Sequence, residues 1–382
     1  MANILNLHRE DNGDLFLGPQ LGIQDYVNIQ YPEIERLALL QRSQFWIETE
    51  TPLDNDFKQW PTIDQGIKDI TLLNLAWQTQ GDSLVGRAPT RILGPLISNS
   101  ELENMVEQWQ YFETIHSRAY SNIIECVVPD ASQYIKDVAN NLEAYARLDP
   151  IVKIFNKLYR ATFPWLEMSE AYYDGSATVG KKQFLLRKEE MQKMILDFYY
   201  AVYALEAVQF YSSFACTFAL AEQDIFSGIA KNIELIAKDE AVHTQMTVET
   251  LKILKDQFPK HVWDAGVERA PRLLNTVQVA EAGWAHNIFD PKAGRKIPGM
   301  NADLAIDYGN YSTELACNAI GIEYLGEKQT RHPIPWIDGY LNTGSRQVAP
   351  QETNIVNYRV GSTVRSNDAD RDDLSNEFGG MF

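Results

Sequence analysis

Glu113, His116 and Tyr120 stand three and then four residues apart in the stretch YFETIHSRAY. Wound as an α-helix, that spacing puts a carboxylate, an imidazole and a phenol on one face. The same face carries Leu102, Val106, Trp109 and Ile123, an apolar stripe that belongs against a core. A second Glu-x-x-His, Glu240 and His243, lies on the apolar stripe of NIELIAKDEAVHTQM, with Ile229, Ile233 and Ile236 before it and Thr247 and Leu254 after it. A lone acid precedes each pair: Asp82 by 31 residues before Glu113, Glu206 by 34 before Glu240. Such a separation suits one helix running out and the next running back.

Each piece alone has an ordinary explanation. Glu and His three apart are often a surface pair, a lone buried histidine is usually a hydrogen-bonded core residue, and a buried acid is often half of an ion pair. The sum is harder to explain that way. Four unpaired core carboxylates would each cost several kcal/mol in desolvation, and the stripes offer no Lys or Arg to pair them. Two divalent metal ions would neutralise that charge. One acid from each of two helices, with a Glu-x-x-His from each of two others, is the ligand pattern of ferritin-like dimetal bundles. Oxygen and imidazole donors suit iron or manganese, and no cysteine falls at a ligand position. A redox-active metal pair about 3.5–4 Å apart can activate a shared small molecule, which points to O2.

Tyr120 stands about one helical turn, ~6 Å, beyond His116 on the same face. A buried tyrosine at such a spacing is ordinarily core, its hydroxyl bonded to something nearby. Its expected surroundings suggest more. Phe210 and Phe214 follow Glu206 by four and eight residues, and Ile236 precedes Glu240 by four. These side chains would make walls that neither donate electrons nor admit water, as an oxidised tyrosine requires.

The elements that must position these groups are helices. From about 31 to 341, helical periodicity dominates, broken by Pro/Gly/Asn turns. The expected fold is all-α: a ferritin-like helical bundle with a dimetal site in its core. Residues 1–30 read as irregular, and Ser100-Glu101-Leu102-Glu103 as a capping box opening the helix of the first motif. Pro129-Asp130 should close that helix, and DGSATVGKKQF (174–184) reads as a small hairpin insertion. Residues 198–221 are apolar enough to suggest a membrane span, but Glu206 and amphipathic flanks favour a buried helix. Residues 342–382 read as a flexible acidic tail whose Leu374, Phe378, Met381 and Phe382 could fold into a partner's groove.

Composition narrows the function classes. A net charge of −18 without a basic block argues against a nucleic-acid partner or an anionic membrane surface. Cys126, Cys216 and Cys317 are odd in number and lack a C-x-x-C, which disfavours a disulfide scaffold or zinc ribbon. The N-terminus lacks the pattern of a secretory signal, so a cytoplasmic protein is expected. No phosphate loop, dinucleotide fingerprint or nucleophile elbow is present.

The stretches GDSLVGRAP, FETIHSRAY, ALEAVQFYSSFACTFALAE, LIAKDEAVH, HPIPW and VAPQE…Y…DDLSN carry a resemblance. The sequence resembles the small, radical-generating subunit of class I ribonucleotide reductase, in its tyrosyl-radical bacterial and phage form. The resemblance implies that Asp82, Glu113, His116, Glu206, Glu240 and His243 bind two iron ions, with manganese as the alternative. It implies that reaction with O2 leaves a stable radical on Tyr120, walled by Phe210, Phe214 and Ile236. Trp46, in QFWIETE, and Asp239 match residues that relay an electron through His116. From the residues alone, Asp239 could hold the second nitrogen of His116, or it could be a solvated surface acid. Tyr358 matches a relay tyrosine that passes the radical to a large subunit, which docks on the tail and reduces ribonucleoside diphosphates. A homodimer is implied as well. Two departures stand out: Gly81 where relatives commonly carry Leu, at a mid-helix cost of ~1 kcal/mol against Ala, and a tail end altered by Glu377 and GGMF. The rival readings are a dimetal monooxygenase or oxidase acting on an organic substrate, and an iron-storage protein.

Overall fold

Helices striped on one face need partners for that face, and the computed structural model of the chain, which describes residues 13–19, 22–176 and 179–341, supplies them from within. Helices α1 (Pro32–Ser43) and α2 (Asp54–Gln59) lead into α3 (Gln65–Val85). A connection containing a π-helical turn at Pro89–Leu93 reverses the chain into α4 (Ser100–Val127). Helices α5 (Ala131–Ala139) and α6 (Leu142–Tyr173) follow, and α7 (Lys181–Ala204) runs through a second π-helical turn, Leu205–Gln209, into α8 (Phe210–Ala221). The described chain closes with α9 (Ser227–Gln257), α10 (Lys260–Ile288), α11 (Ala302–Ala319) and the short α12 (Asp338–Leu341).

The chain is an all-α, ferritin-like bundle; among the described residues no strand forms, only isolated bridges such as Phe16 with Ile97. Helix α3 packs on α4 and α8, and α9 packs on α4 and α8, closing a four-helix ring. Helix α1 covers α4 and α9 from one side, while α6, α7, α10 and α11 pack together on the other. No helix of the described residues is long and apolar enough to cross a membrane. The apolar stretch 198–221 spans the end of α7, the π turn and α8, and Phe198, Tyr199, Phe210, Phe214 and Phe218 are all buried there.

Two local expectations need correction. Among the described residues of 174–184 no hairpin forms. Gly175, at φ +69°, ends α6 in the left-handed conformation. Its amide bonds the Tyr172 carbonyl at 3.2 Å and the Ser176 amide bonds Ala171 at 3.0 Å, the paired closure of a helix terminated by glycine. Lys181 already begins α7, and Phe184, one turn in, stacks on Tyr172 of α6 with centroids 3.8 Å apart. The Asp174-Gly175 pair is therefore a helix stop. At the start of α4 the cap is Asn99, whose side chain accepts from the Leu102 amide at 2.9 Å, and Ser100 is the first helical residue. Asn caps as well as Ser does, and Asn99 holds the extended backbone a cap requires.

Helix α9, which carries one Glu-x-x-His, is capped from a distance. Its first residues have no local side-chain cap; Asp56 of α2 accepts from the Gly228 amide at 3.1 Å and the Ile229 amide at 2.9 Å. Gly228 is needed there because a β-carbon would lie 2.6 Å from the Pro52 carbonyl oxygen. Burial pushes the Asp56 carboxyl above its usual range, and the Ile229 and Gly228 amides counter it. Replacing Asp56 with Ala should destabilise the protein by ~1–2 kcal/mol, since two buried amides lose their acceptor. A urea midpoint unchanged from wild type would show that the first turn of α9 is held by something else.

Candidate metal centre

The four ring helices each contribute to one buried cluster. Asp82 comes from the last turn of α3, Glu113 and His116 from the middle of α4, Glu206 from the π turn before α8, and Glu240 and His243 from the middle of α9. All six are fully buried. They form two overlapping sets whose ligand atoms lie within 4.8 Å of one another: Asp82, Glu113, His116 and Glu240, and then Glu113, Glu206, Glu240 and His243. Glu113 and Glu240 belong to both. The Nδ1 of His116 lies 3.5 Å from Glu113 and 3.3 Å from Glu240, and that of His243 lies 3.1 Å from Glu113 and 3.3 Å from Glu240. Both imidazoles thus face the shared carboxylates with the same nitrogen.

The donor set has the character of a cation site. Both oxygens of Asp82, both of Glu206 and one each of Glu113 and Glu240 accept no hydrogen bond from the protein. Among the described residues no Lys or Arg pairs with any of the four acids. Without metal, protons have to fill the gap. Burial and the neighbouring Glu113 push Asp82 well above the carboxylate range, and burial with Glu240 does the same to Glu206. Burial would raise Glu113 too, but hydrogen bonds from His116 and His243 outweigh it and draw Glu113 down to about 2. Burial opposes charge on the histidines, yet Glu113 and Glu240 hold His243 up at about 9, and Asp239, Glu113 and Glu240 raise His116. These six residues fit two divalent ions by number, burial and donor chemistry.

The partners of the cluster are equally specific. Asp239 Oδ2 sits 3.0 Å from His116 Nε2, on the side of the ring away from the carboxylates. The Trp46 indole donates to the same oxygen at 2.7 Å, and its ring stacks near His116 with centroids 6.3 Å apart. Gln41 of α1, unremarkable in the sequence, donates to Asp239 Oδ1 at 3.0 Å and completes that carboxylate. Only its place on the buried side of an amphipathic helix could have pointed to it. The Trp109 indole donates to Glu113 at 3.0 Å, one turn earlier on α4.

Tyr120 is fully buried and its hydroxyl has no protein hydrogen-bond partner. Burial, then the charge of Asp82, pushes this phenol well above its normal range, so it is neutral. Phe210, Phe214 and Ile236 are fully buried in the same core, with Phe210 and Phe214 stacked at 5.8 Å. Gly81 finds its reason here: a β-carbon would meet the Phe210 ring edge at 3.3 Å, so the missing side chain gives Phe210 room beside α3. Tyr358 and the whole tail, 342–382, lie outside the described residues.

The family model for "Ribonucleotide reductase, small chain" matches residues 24–333. The chain belongs to the ribonucleotide reductase small-chain family. It is 35% identical over 366 residues to ribonucleoside-diphosphate reductase 1 subunit beta of Escherichia coli O157:H7, covering 95% of each chain. Among solved structures, the ribonucleotide reductase R2 subunit from Clostridium botulinum superposes with a TM-score of 0.74 at 21% identity, over 89% of this chain and 98% of that one. The dimanganese(II)-NrdF of Streptococcus sanguinis superposes with a TM-score of 0.65 at 17% identity, over 83% and 98%.

A cavity with this many buried, unpaired carboxylates should be stabilised by divalent cations. Adding Mn(II), or Fe(II) without air, to metal-free protein should stabilise it by ~2.7 kcal/mol per site at 100-fold excess over Kd, read as a higher melting temperature. Binding must release protons, so apparent affinity should weaken as pH falls. Calorimetry that finds no metal-dependent shift at neutral pH would contradict this account of the cluster.

Proposed function

We propose that this chain is the radical-generating small subunit of a class I ribonucleotide reductase, with Tyr120 as the radical site. One observation carries the reading. Two ligand sets share two carboxylates, and a phenol with no hydrogen-bond partner follows one of their histidines by a single turn. Family membership supports it over an organic-substrate monooxygenase.

Asp82 and His116 would hold one ion, Glu206 and His243 the other, with Glu113 and Glu240 common to both. A reduced iron or manganese pair held there would supply, with O2 or another oxidant, the oxidising equivalent that Tyr120 meets. The remaining work belongs to the protein. Trp109 fixes Glu113, and Asp239 fixes the tautomer of His116 by accepting from Nε2, leaving Nδ1 free toward the carboxylates. Oxidation of a neutral phenol releases its hydroxyl proton, and Asp82 is the carboxylate that acts on that hydroxyl most strongly. Phe210, Phe214 and Ile236 exclude water and donate no electron, so the oxidised ring persists. Trp46, hydrogen-bonded to Asp239 and through it to His116, is placed to deliver an electron inward.

Reduction of ribonucleoside diphosphates requires a large subunit, reached through the tail and Tyr358, with the small subunit acting as a homodimer in the cytoplasm. The tail's acidic stretch and its apolar residues Leu374, Phe378, Met381 and Phe382 suit a groove on that partner.

Three measurements address this reading. Metal-free protein given Fe(II) and O2, or Mn(II) and an oxidant, should show a persistent tyrosyl signal by electron paramagnetic resonance. Tyr120→Phe should bind metal equally and lose that signal; a signal that survives the substitution assigns the radical elsewhere. Tyr358→Phe should keep the signal and lose ribonucleotide reduction by at least ~100-fold, since a phenylalanine side chain cannot carry the hole. Removing residues 359–382 should abolish binding to a large subunit without changing metal content, and retained affinity would refute the role of the tail.

A further inference from the structure

Glu206 differs from the other ligands in its backbone. It sits in the π-helical turn Leu205–Gln209, where the Phe210 amide bonds the Leu205 carbonyl five residues back instead of four. The Trp109 indole also bears on the Glu206 carboxylate, but the turn beneath it sets where the side chain starts and which way it is aimed. One extra residue in a turn rotates everything upstream by about 100° relative to everything downstream. Were the turn to relax into an α-helix, Glu206 would leave its place among the ligands. π turns are rare and cluster at functional sites, and they need a cause.

A buried ion pair stands at the end of this turn. Arg147 of α6 and Glu281 of α10 are 2% and 4% exposed, and join through both forks of the guanidinium, Nε to Oε1 at 2.6 Å and Nη2 to Oε2. Arg147 Nη2 also donates to the backbone carbonyl of Gln209, the last residue of the π turn, at 3.0 Å. The Gln209 side chain answers from the other direction, donating to the Arg147 carbonyl at 3.1 Å and to Glu281 at 2.8 Å. The guanidinium lies 3.6 Å over the ring of Trp77, on the helix that carries Asp82, and Trp77 meets Phe210 edge-on at 5.2 Å.

Stability alone does not account for this group, because an apolar pair of similar volume usually serves a core as well as a buried ion pair or better. An apolar pair could not hold both the backbone and the side chain of Gln209. A side chain that draws a carbonyl out of the helical ladder is an established cause of helix distortion. We infer that Arg147 and Glu281 are positioning residues that hold the Leu205–Gln209 turn in its π form and so keep Glu206 aimed at the cluster. Arg147 acts through Gln209 and touches no ligand directly. The part of this inference that concerns metal rests on the ligand assignment above; the part that concerns the turn does not.

The test uses the full chain with Arg147→Met and Glu281→Leu together, so that no buried charge is left unpaired. Hydrogen exchange in metal-free protein reads the turn, and anaerobic titration with Mn(II) reads the site. We expect amides of 205–210 to exchange roughly tenfold or more faster than wild type while those of α4 keep their rates, and tight Mn(II) binding to fall from two ions to one. Unchanged exchange at 205–210 overturns the clamp. If the double variant does not fold, Arg147→Lys, which keeps the charge and loses the fork, is read in the same way: faster exchange at 205–210 alone supports the clamp, and wild-type exchange overturns it. If wild-type protein itself fails to bind two ions, the ligand assignment falls, while the exchange comparison still decides the role of Arg147 and Glu281.

Discussion

Four carboxylates are enclosed in one cavity with no Lys or Arg among the described residues to balance them, and much of the fold answers that fact. Glu113 and Glu240 sit near the middle of long helices whose apolar stripes force them inward. Among the described residues the two imidazoles supply the nearby positive charge from side chains, and they face the shared acids with one nitrogen each. Around this cluster the hydrogen bonds point toward fixing the ligands rather than neutralising them: an indole on Glu113, a carboxylate on His116, and an amide and a second indole on that carboxylate. The arrangement is one that divalent cations would relieve of its buried, unpaired carboxylates.

The outer helices hold this geometry against its own repulsion. Helix α1 brings Gln41 over α9, and the segment after it brings Trp46, so that Asp239 is satisfied on both oxygens. Helices α6 and α10 do the same at the opposite side, reaching the π turn with a guanidinium and a carboxylate. Gly81 and Gly228 serve as spacers, the first for an aromatic ring and the second for a carboxylate cap.

The six clustered residues were legible in the sequence because chemistry and periodicity coincide there: a polar group on an apolar stripe is conspicuous, and a repeated one more so. The buried reading of residues 198–221 followed from Glu206 and the amphipathic segments that flank it. Gln41, Arg147 and Glu281 were not legible. Each is a polar residue on a helix with many others, and its partner lies far off in sequence, so nothing local separates a buried amide or ion pair from a surface one. The Asp174-Gly175 stop was misread for a related reason, since the same dipeptide serves a hairpin and a helix end, and the choice falls to Phe184 packing back on Tyr172. Asn99 displaced Ser100 as cap because two good capping residues stood side by side.

Both ligand sets contain Glu240, and Glu240 lies on α9, whose first turn waits for Asp56 of α2. This has a bearing on the order of events during synthesis, in which N-terminal parts emerge and fold first. A nascent chain that ends before α9 already carries Asp82, Glu113, His116 and Glu206, yet it holds neither complete set. The cap at Asp56 and the acceptor-seeking indole of Trp46 are in place beforehand, with their partners still to be made. Helix α9 then finishes both sets together. The two clusters therefore come into being together, when α9 joins the bundle.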